Sequence, residues 1–219
     1  MKTALGRRLV RELTHHKARS AFTIASLAAA VAGMWLFALP RHLDAVMDER
    51  VEQDQISDVI LRPNGVAIDD DALAELRAIP NVSGLEVRSR YYTSMQVGDR
   101  RLDVQLVGVR DFEDQEVNVV AVDEGTLPAS TPTRQVLTDP QNRRSGLFSG
   151  QVGQEIAIID FRGQARAAQI SGVGSTVYYS NYVVDGDAVL YLPVSDLWAL
   201  AGFDVFTQVE FTVVDRDAG

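Results

Sequence analysis

Cysteine is absent from the 219 residues, which removes disulfide frameworks, thiolate nucleophiles, iron–sulfur clusters and cysteine zinc sites together. Histidine occurs only at His15, His16 and His42, so residues 58–219 offer no imidazole for a catalytic triad or a metal centre. Lysine occurs only at Lys2 and Lys17, and no Gly-x-x-x-x-Gly-Lys loop exists for ATP. Gly172-Val173-Gly174-Ser175-Thr176 imitates a phosphate loop but lacks the rest of that fingerprint, and reads as a strand-to-loop transition. With no nucleophile–base pair, the expectation is a protein that is not an enzyme and carries no cofactor or metal.

Acidic charge is scarce in the first twenty residues. The formal net charge is −9, yet residues 1–20 carry Lys2, Arg7, Arg8, Arg11, Lys17 and Arg19 against Glu12 alone. The remainder is therefore strongly acidic and should repel nucleic acid. Within it, Asp69-Asp70-Asp71 suits a helix cap better than a metal site. Asp111, Glu113, Asp114 and Glu116 lack the register of a calcium loop and read as a solvated acidic loop.

Charge is missing altogether between Ser20 and Pro40, and the run at 21–39 is apolar but for Thr23 and Ser26. Nineteen helical residues reach roughly 28 Å, close to the hydrocarbon thickness of a bilayer. A cleavable signal peptide would have a shorter apolar region and a small-x-small cleavage site, whereas Pro40 and Arg41 follow Ala38-Leu39 here. The expectation is an uncleaved transmembrane helix at 21–40. Basic residues crowd before it, and only Arg41 and Arg50 occur in 41–60, so the N-terminus is expected in the cytoplasm and the acidic body outside it.

Residues 1–20 read as a basic amphipathic segment, with Leu5, Leu9 and Leu13 in four-residue spacing, or as a basic flank without defined structure. Arg7, Arg8, Arg11, Lys17, Arg19 and Trp35 are the expected membrane-interface anchors. Ala21, Ala25, Ala29 and Gly33 form a stripe of small side chains suited to close helix packing. Leu43, Val46, Met47 and Val51 continue at helical spacing, which predicts a stalk over 41–57.

Residues 58–219 alternate short β-like runs with a few helical ones, an α+β pattern. SDVILRP begins with a strand, and Leu73, Leu76 and Ile79 predict a helix capped by the aspartates and stopped at Pro80. LEVRSRYYTSMQV and RRLDVQLVGV flank Gly98-Asp99 as a hairpin. The shift in composition after Glu124 marks a β-rich insertion over 125–187, between α+β parts at 58–124 and 188–219. The last part reads as AVLYLP, a helix SDLWALA capped by Gly202, and the strand FTQVEFTVV. Tyr178, Tyr179 and Tyr182 fit either a contact surface or buried packing.

LVRELTHHKARSAFTIASLAAAV is similar to the basic flank and first membrane helix of the MacB/LolC/FtsX-type ABC transporter permeases. ALAELRAIPNVSGLEVRSR, VQLVGVRD, EGTLPAS, VGQEIAI and VLYLPVSDL follow in the order of the MacB-like periplasmic core domain. The resemblance implies a membrane-embedded permease component with a porter-like external domain bearing a β-rich insertion. It implies an ABC ATPase subunit as partner, a homo- or heterodimer with another permease, a place in the cell (inner) membrane with its lipid bilayer, and coupling of ATPase-driven motion to the external domain. A permease of this family continues into three more membrane helices. The sequence ends at Asp215-Arg216-Asp217-Ala218-Gly219, so a fragment, a truncated product or a one-span relative is expected. The competing expectation is a single-span extracytoplasmic binding or scaffold protein.

Overall fold

Polar and apolar residues alternate on both sides of Gly98-Asp99, and the result is a long hairpin of β2 (Val82–Val97) and β3 (Arg100–Val109). Gly98 takes φ +58 at the turn, a left-handed conformation that costs glycine little. The computed structural model describes residues 55–63, 68–129, 134–176, 178–179 and 186–215. Before the hairpin come β1 (Val59–Leu61) and α1 (Asp70–Arg77). After it follow β4 (Ala121–Gly125), β5 (Gln135–Thr138), α2 (Pro140–Arg144), β6 (Glu155–Ile159) and β7 (Ala165–Ser175). The described chain closes with β8 (Ala188–Pro193), α3 (Val194–Ala201) and β9 (Gln208–Val213). This is an α+β fold.

Two caps set the helix ends as the sequence predicts. The Asp69 carboxylate accepts the Ala72 N–H at 2.9 Å, with Asp70 and Asp71 in the positive first turn of α1. At the other cap Gly202 ends α3 with φ +75 and donates its N–H to the Trp198 carbonyl at 2.9 Å.

All nine described strands belong to one sheet, in the order β1-β9-β2-β3-β8-β5-β7-β4, with β6 bridging β2 and β7. That bridge closes a ring: β2 pairs with β3, β3 with β8, β8 with β5, β5 with β7, β7 with β6, and β6 with β2. Alternate residues of these six strands, among them Met95, Val104, Leu106, Val136, Ile158, Ile170 and Leu190, make one buried apolar cluster. Helix α3 adds Leu197, Leu200 and Ala201 to it. The range 125–187 thus contributes β5, β6 and β7, each hydrogen bonded to strands of the flanking ranges or to one another.

Outside the ring, the first half of β2 pairs with β9, and β9 with β1, both antiparallel. Leu73 of α1 packs there on Leu85, Val87 and Val209. The incoming and outgoing strands are consequently neighbours: Asp58 N–H donates to the Phe211 carbonyl at 3.0 Å, and Val213 N–H to Asp58 Oδ2 at 2.9 Å. Among the described residues no helix is long and apolar enough to cross a membrane. The segment at 1–20, the span expected at 21–40 and the stalk up to residue 54 lie outside the described residues.

Candidate functional site

The anchors Arg7, Arg8, Arg11, Lys17, Arg19 and Trp35 and the stripe Ala21, Ala25, Ala29 and Gly33 lie outside the described residues, as does Tyr182. Gly172 and Gly174 lie within β7, where β4 crosses so closely that an added Cβ would stand 2.7 Å from the carbonyls of Glu124 and Ala121 respectively. Close backbone approach accounts for these glycines. Tyr179 is fully buried, so for this residue the packing alternative holds. Among the described residues no group of acidic and histidine side chains is placed to hold a metal ion.

The residues that do converge were not singled out by motif. On β2 the even-numbered Glu86 and Arg88 face away from α1, and on β9 so do Gln208 and Glu210. Their register places Glu86 opposite Glu210 and Arg88 opposite Gln208. All four are buried. Like charges directly across a strand pair repel, and Arg88 lies close to both carboxylates, with Nε 3.9 Å from Glu210 Oε2. Its Nη2 donates to Gln115 Oε1 at 3.1 Å and to the Val117 carbonyl at 3.2 Å.

Glu210 is the hub of this layer. It accepts from the Tyr179 hydroxyl and from Gln208 through Oε1, and from Asn118 Nδ2 at 2.7 Å through Oε2. Asn118 in turn accepts the Ser57 N–H at 3.1 Å. The incoming segment, the loop after β3 and Tyr179 are therefore tied to a single side chain of the outgoing strand. Burial, reinforced by the Glu210 carboxylate, pushes the Tyr179 phenol well above its ordinary value. Burial also raises Glu86, against the opposing pull of Arg88.

Beside this layer a cleft of about 390 Å³ opens between α1, β2 and the loop after β3, within the usual range for ligand sites. Its floor is Leu73, Leu85 and Val87, and its charged walls are Glu86, Arg77, Arg110, Asp111, Asp114 and Glu116. Glu116 is not merely solvated, as the sequence reading has it: its Oε2 accepts the Leu85 N–H at 3.0 Å and lies 4.0 Å from Arg77. Glu86 reaches back to take the Glu116 N–H at 3.3 Å. The arrangement offers charge recognition over an apolar floor.

Three solved structures are similar to this chain. The extracellular domain of the noncanonic ABC-type transporter YknZ from Gram-positive bacteria shares 14% identity over 78% of this chain and 80% of its own, with a TM-score of 0.48. The periplasmic region of MacB from Actinobacillus actinomycetemcomitans shares 14% over 73% of this chain and 75% of its own, also with a TM-score of 0.48. A domain of a permease-like protein from Porphyromonas gingivalis shares 16% over 76% and 71%, with a TM-score of 0.41. MacB is one of the proteins whose family the sequence resembles. No family model and no curated protein matches the chain.

Proposed function

We propose that this chain is a membrane-embedded permease component of an ABC transporter complex. In this reading the N-terminus is cytoplasmic, residues 21–40 cross the inner membrane, and the α+β body is extracytoplasmic. It has no catalytic residues of its own and works by transmitting motion generated by a separate ATPase. The observation that carries the reading is the pairing of β1 with β9 at one end of the sheet. In this reading a displacement of β1 passes to β9, and through Glu210 to the loop after β3 and to Tyr179. The family resemblance in the sequence supplies the ATPase and the partner permease.

Because the chain has no cysteine, a single Asp99→Cys variant gives a clean topological probe at the β2–β3 turn. A membrane-impermeant maleimide should label it in intact cells once the outer permeability barrier, if any, is opened. The tagged full chain, extracted in mild detergent from its native membrane, should carry an ABC-type ATPase with it. Labelling only after lysis, or repeated purification without such an ATPase, overturns the proposal.

A further inference from the structure

Along β2, Tyr92 and Ser94 follow Glu86 and Arg88 on the same face of the sheet, and there they line a second recess. It measures about 480 Å³, with Arg101 and Asp103 of β3 and Asp187 before β8 as its charged members, a size usual for small-molecule sites. Register sets Ser94 opposite Asp103 and Tyr92 opposite Gln105, so Gln105 borders the basin on that face. The polar groups gathered here leave one another unsatisfied. Arg101 Nε donates to Ser94 Oγ at 2.8 Å, and its terminal nitrogens donate to nothing among the described residues. Asp103 and Asp187 share the basin with Arg101 and form no ion pair with it or with any other described residue. Gln105 is fully buried with neither end of its amide bonded, which costs free energy until a bound group completes it. Tyr92 is 55% exposed, and the Arg90 guanidinium stands 5.3 Å from its ring centre.

We infer that this basin binds a neutral saccharide, through adjacent hydroxyl groups and the C–H face of the sugar ring. Donor and acceptor balance selects the class. The Asp103 and Asp187 carboxylates only accept, the Arg101 terminus only donates, and the Gln105 amide does both. A hydroxyl group also does both, so neighbouring hydroxyls satisfy all of these together. A cation would meet the carboxylates but is repelled by Arg90 and Arg101, and an anion would meet Arg101 but is repelled by two aspartates. Carboxylate and guanidinium are flat forks, each able to take two adjacent hydroxyls. The exposed Tyr92 ring offers an apolar surface with a negative face for the sugar's C–H groups. A ligand hydroxyl, directly or through one water, completes the Gln105 amide.

The test uses the full chain in lipid nanodiscs, with empty nanodiscs as the blank, and saturation-transfer difference NMR. The probes are methyl β-D-glucopyranoside, methyl β-D-galactopyranoside, methyl α-D-mannopyranoside and methyl N-acetyl-β-D-glucosaminide. At least one should bind saturably with a Kd on the order of 1 mM, receiving most saturation at the C–H groups of one ring face. Tyr92→Ala should abolish the signal, and Asp103→Asn with Asp187→Asn should weaken binding about tenfold while leaving the thermal melt in place. Gln105→Met should also weaken binding about tenfold without lowering the melt, a split that an amide with a purely structural role would not give. Spermidine and glycylglycine, added at equal concentration, should leave the sugar bound. Absence of saturable binding by all four glycosides overturns the inference, as does undiminished binding to Tyr92→Ala or to the double variant. Displacement of the sugar by spermidine or by glycylglycine refutes hydroxyl recognition in favour of charge.

Discussion

Replacing Arg88 by methionine tests the buried charge layer at its centre. Arg88 and Glu210 have fully buried side chains, and Glu86 is nearly so. Removing one member of a buried pair costs about 3–5 kcal/mol, chiefly because the remaining charge has lost its compensation. Arg88→Met leaves two carboxylates facing each other across β2 and β9 and strips donors from Gln115 and Val117, so the upper part of that range applies. For a domain of this size each kcal/mol lowers the melting temperature by about 2–4 °C, and the expected loss is on the order of 10 °C.

The pH dependence gives a sharper signature. Glu86 is already raised by burial and Arg88 opposes that rise, so the variant raises it further. A carboxyl with a raised folded-state value keeps its full contribution below the unfolded value and loses it as pH rises through the folded one. The deficit should therefore grow from pH 5 to pH 8 in urea denaturation followed by tryptophan fluorescence. Adding Glu210→Gln to Arg88→Met should recover about half of the loss, because less uncompensated charge remains. A cost below about 1 kcal/mol, or a cost equal at both pH values, refutes the reasoning.

Gly202→Ala meets a left-handed φ of +75 and places its Cβ 2.7 Å from the Phe161 ring, so a loss of about 1–3 kcal/mol is expected in chemical denaturation. Adding Phe161→Ala should relieve only the steric part. Gln105 is fully buried with neither end of its amide bonded, and Gln105→Met should raise stability by about 1 kcal/mol, where a loss of similar size would sink the assignment. Asp160 accepts Arg162 N–H, Gln164 N–H and Arg166 Nε. Burial disfavours its charge, but these bonds outweigh it and hold the carboxyl below its ordinary value. Its stabilisation is present above the unfolded value and lost as pH falls through the folded one, so Asp160→Asn should flatten that part of the acid limb of a stability–pH curve.

Local chemistry made several elements legible in advance. The Asp69 cap, the Gly202 cap and the Gly98-Asp99 hairpin each depend on residues within a few positions of one another. The charged residues of LEVRSR were not legible in the same way. Alternation says that Glu86, Arg88 and Arg90 share one face of a strand, and such a face is ordinarily wet. What buries Glu86 and Arg88 comes from far along the chain: Val117 and Asn118, Gln208 and Glu210 on β9, and Tyr179.

The linear order of residues was enough to establish an α+β body, its helix caps and hairpin, its acidic charge and its lack of imidazole and thiol chemistry, because propensity, capping and composition act over short range. Tertiary structure alone decided that six strands drawn from three regions close into a ring through β6, that Glu86 meets Glu210, and that Glu116 closes over the β2 amide of Leu85. Those outcomes depend on strand register and on pairings between distant segments, and alternation along a single strand is the same whichever partner it finds.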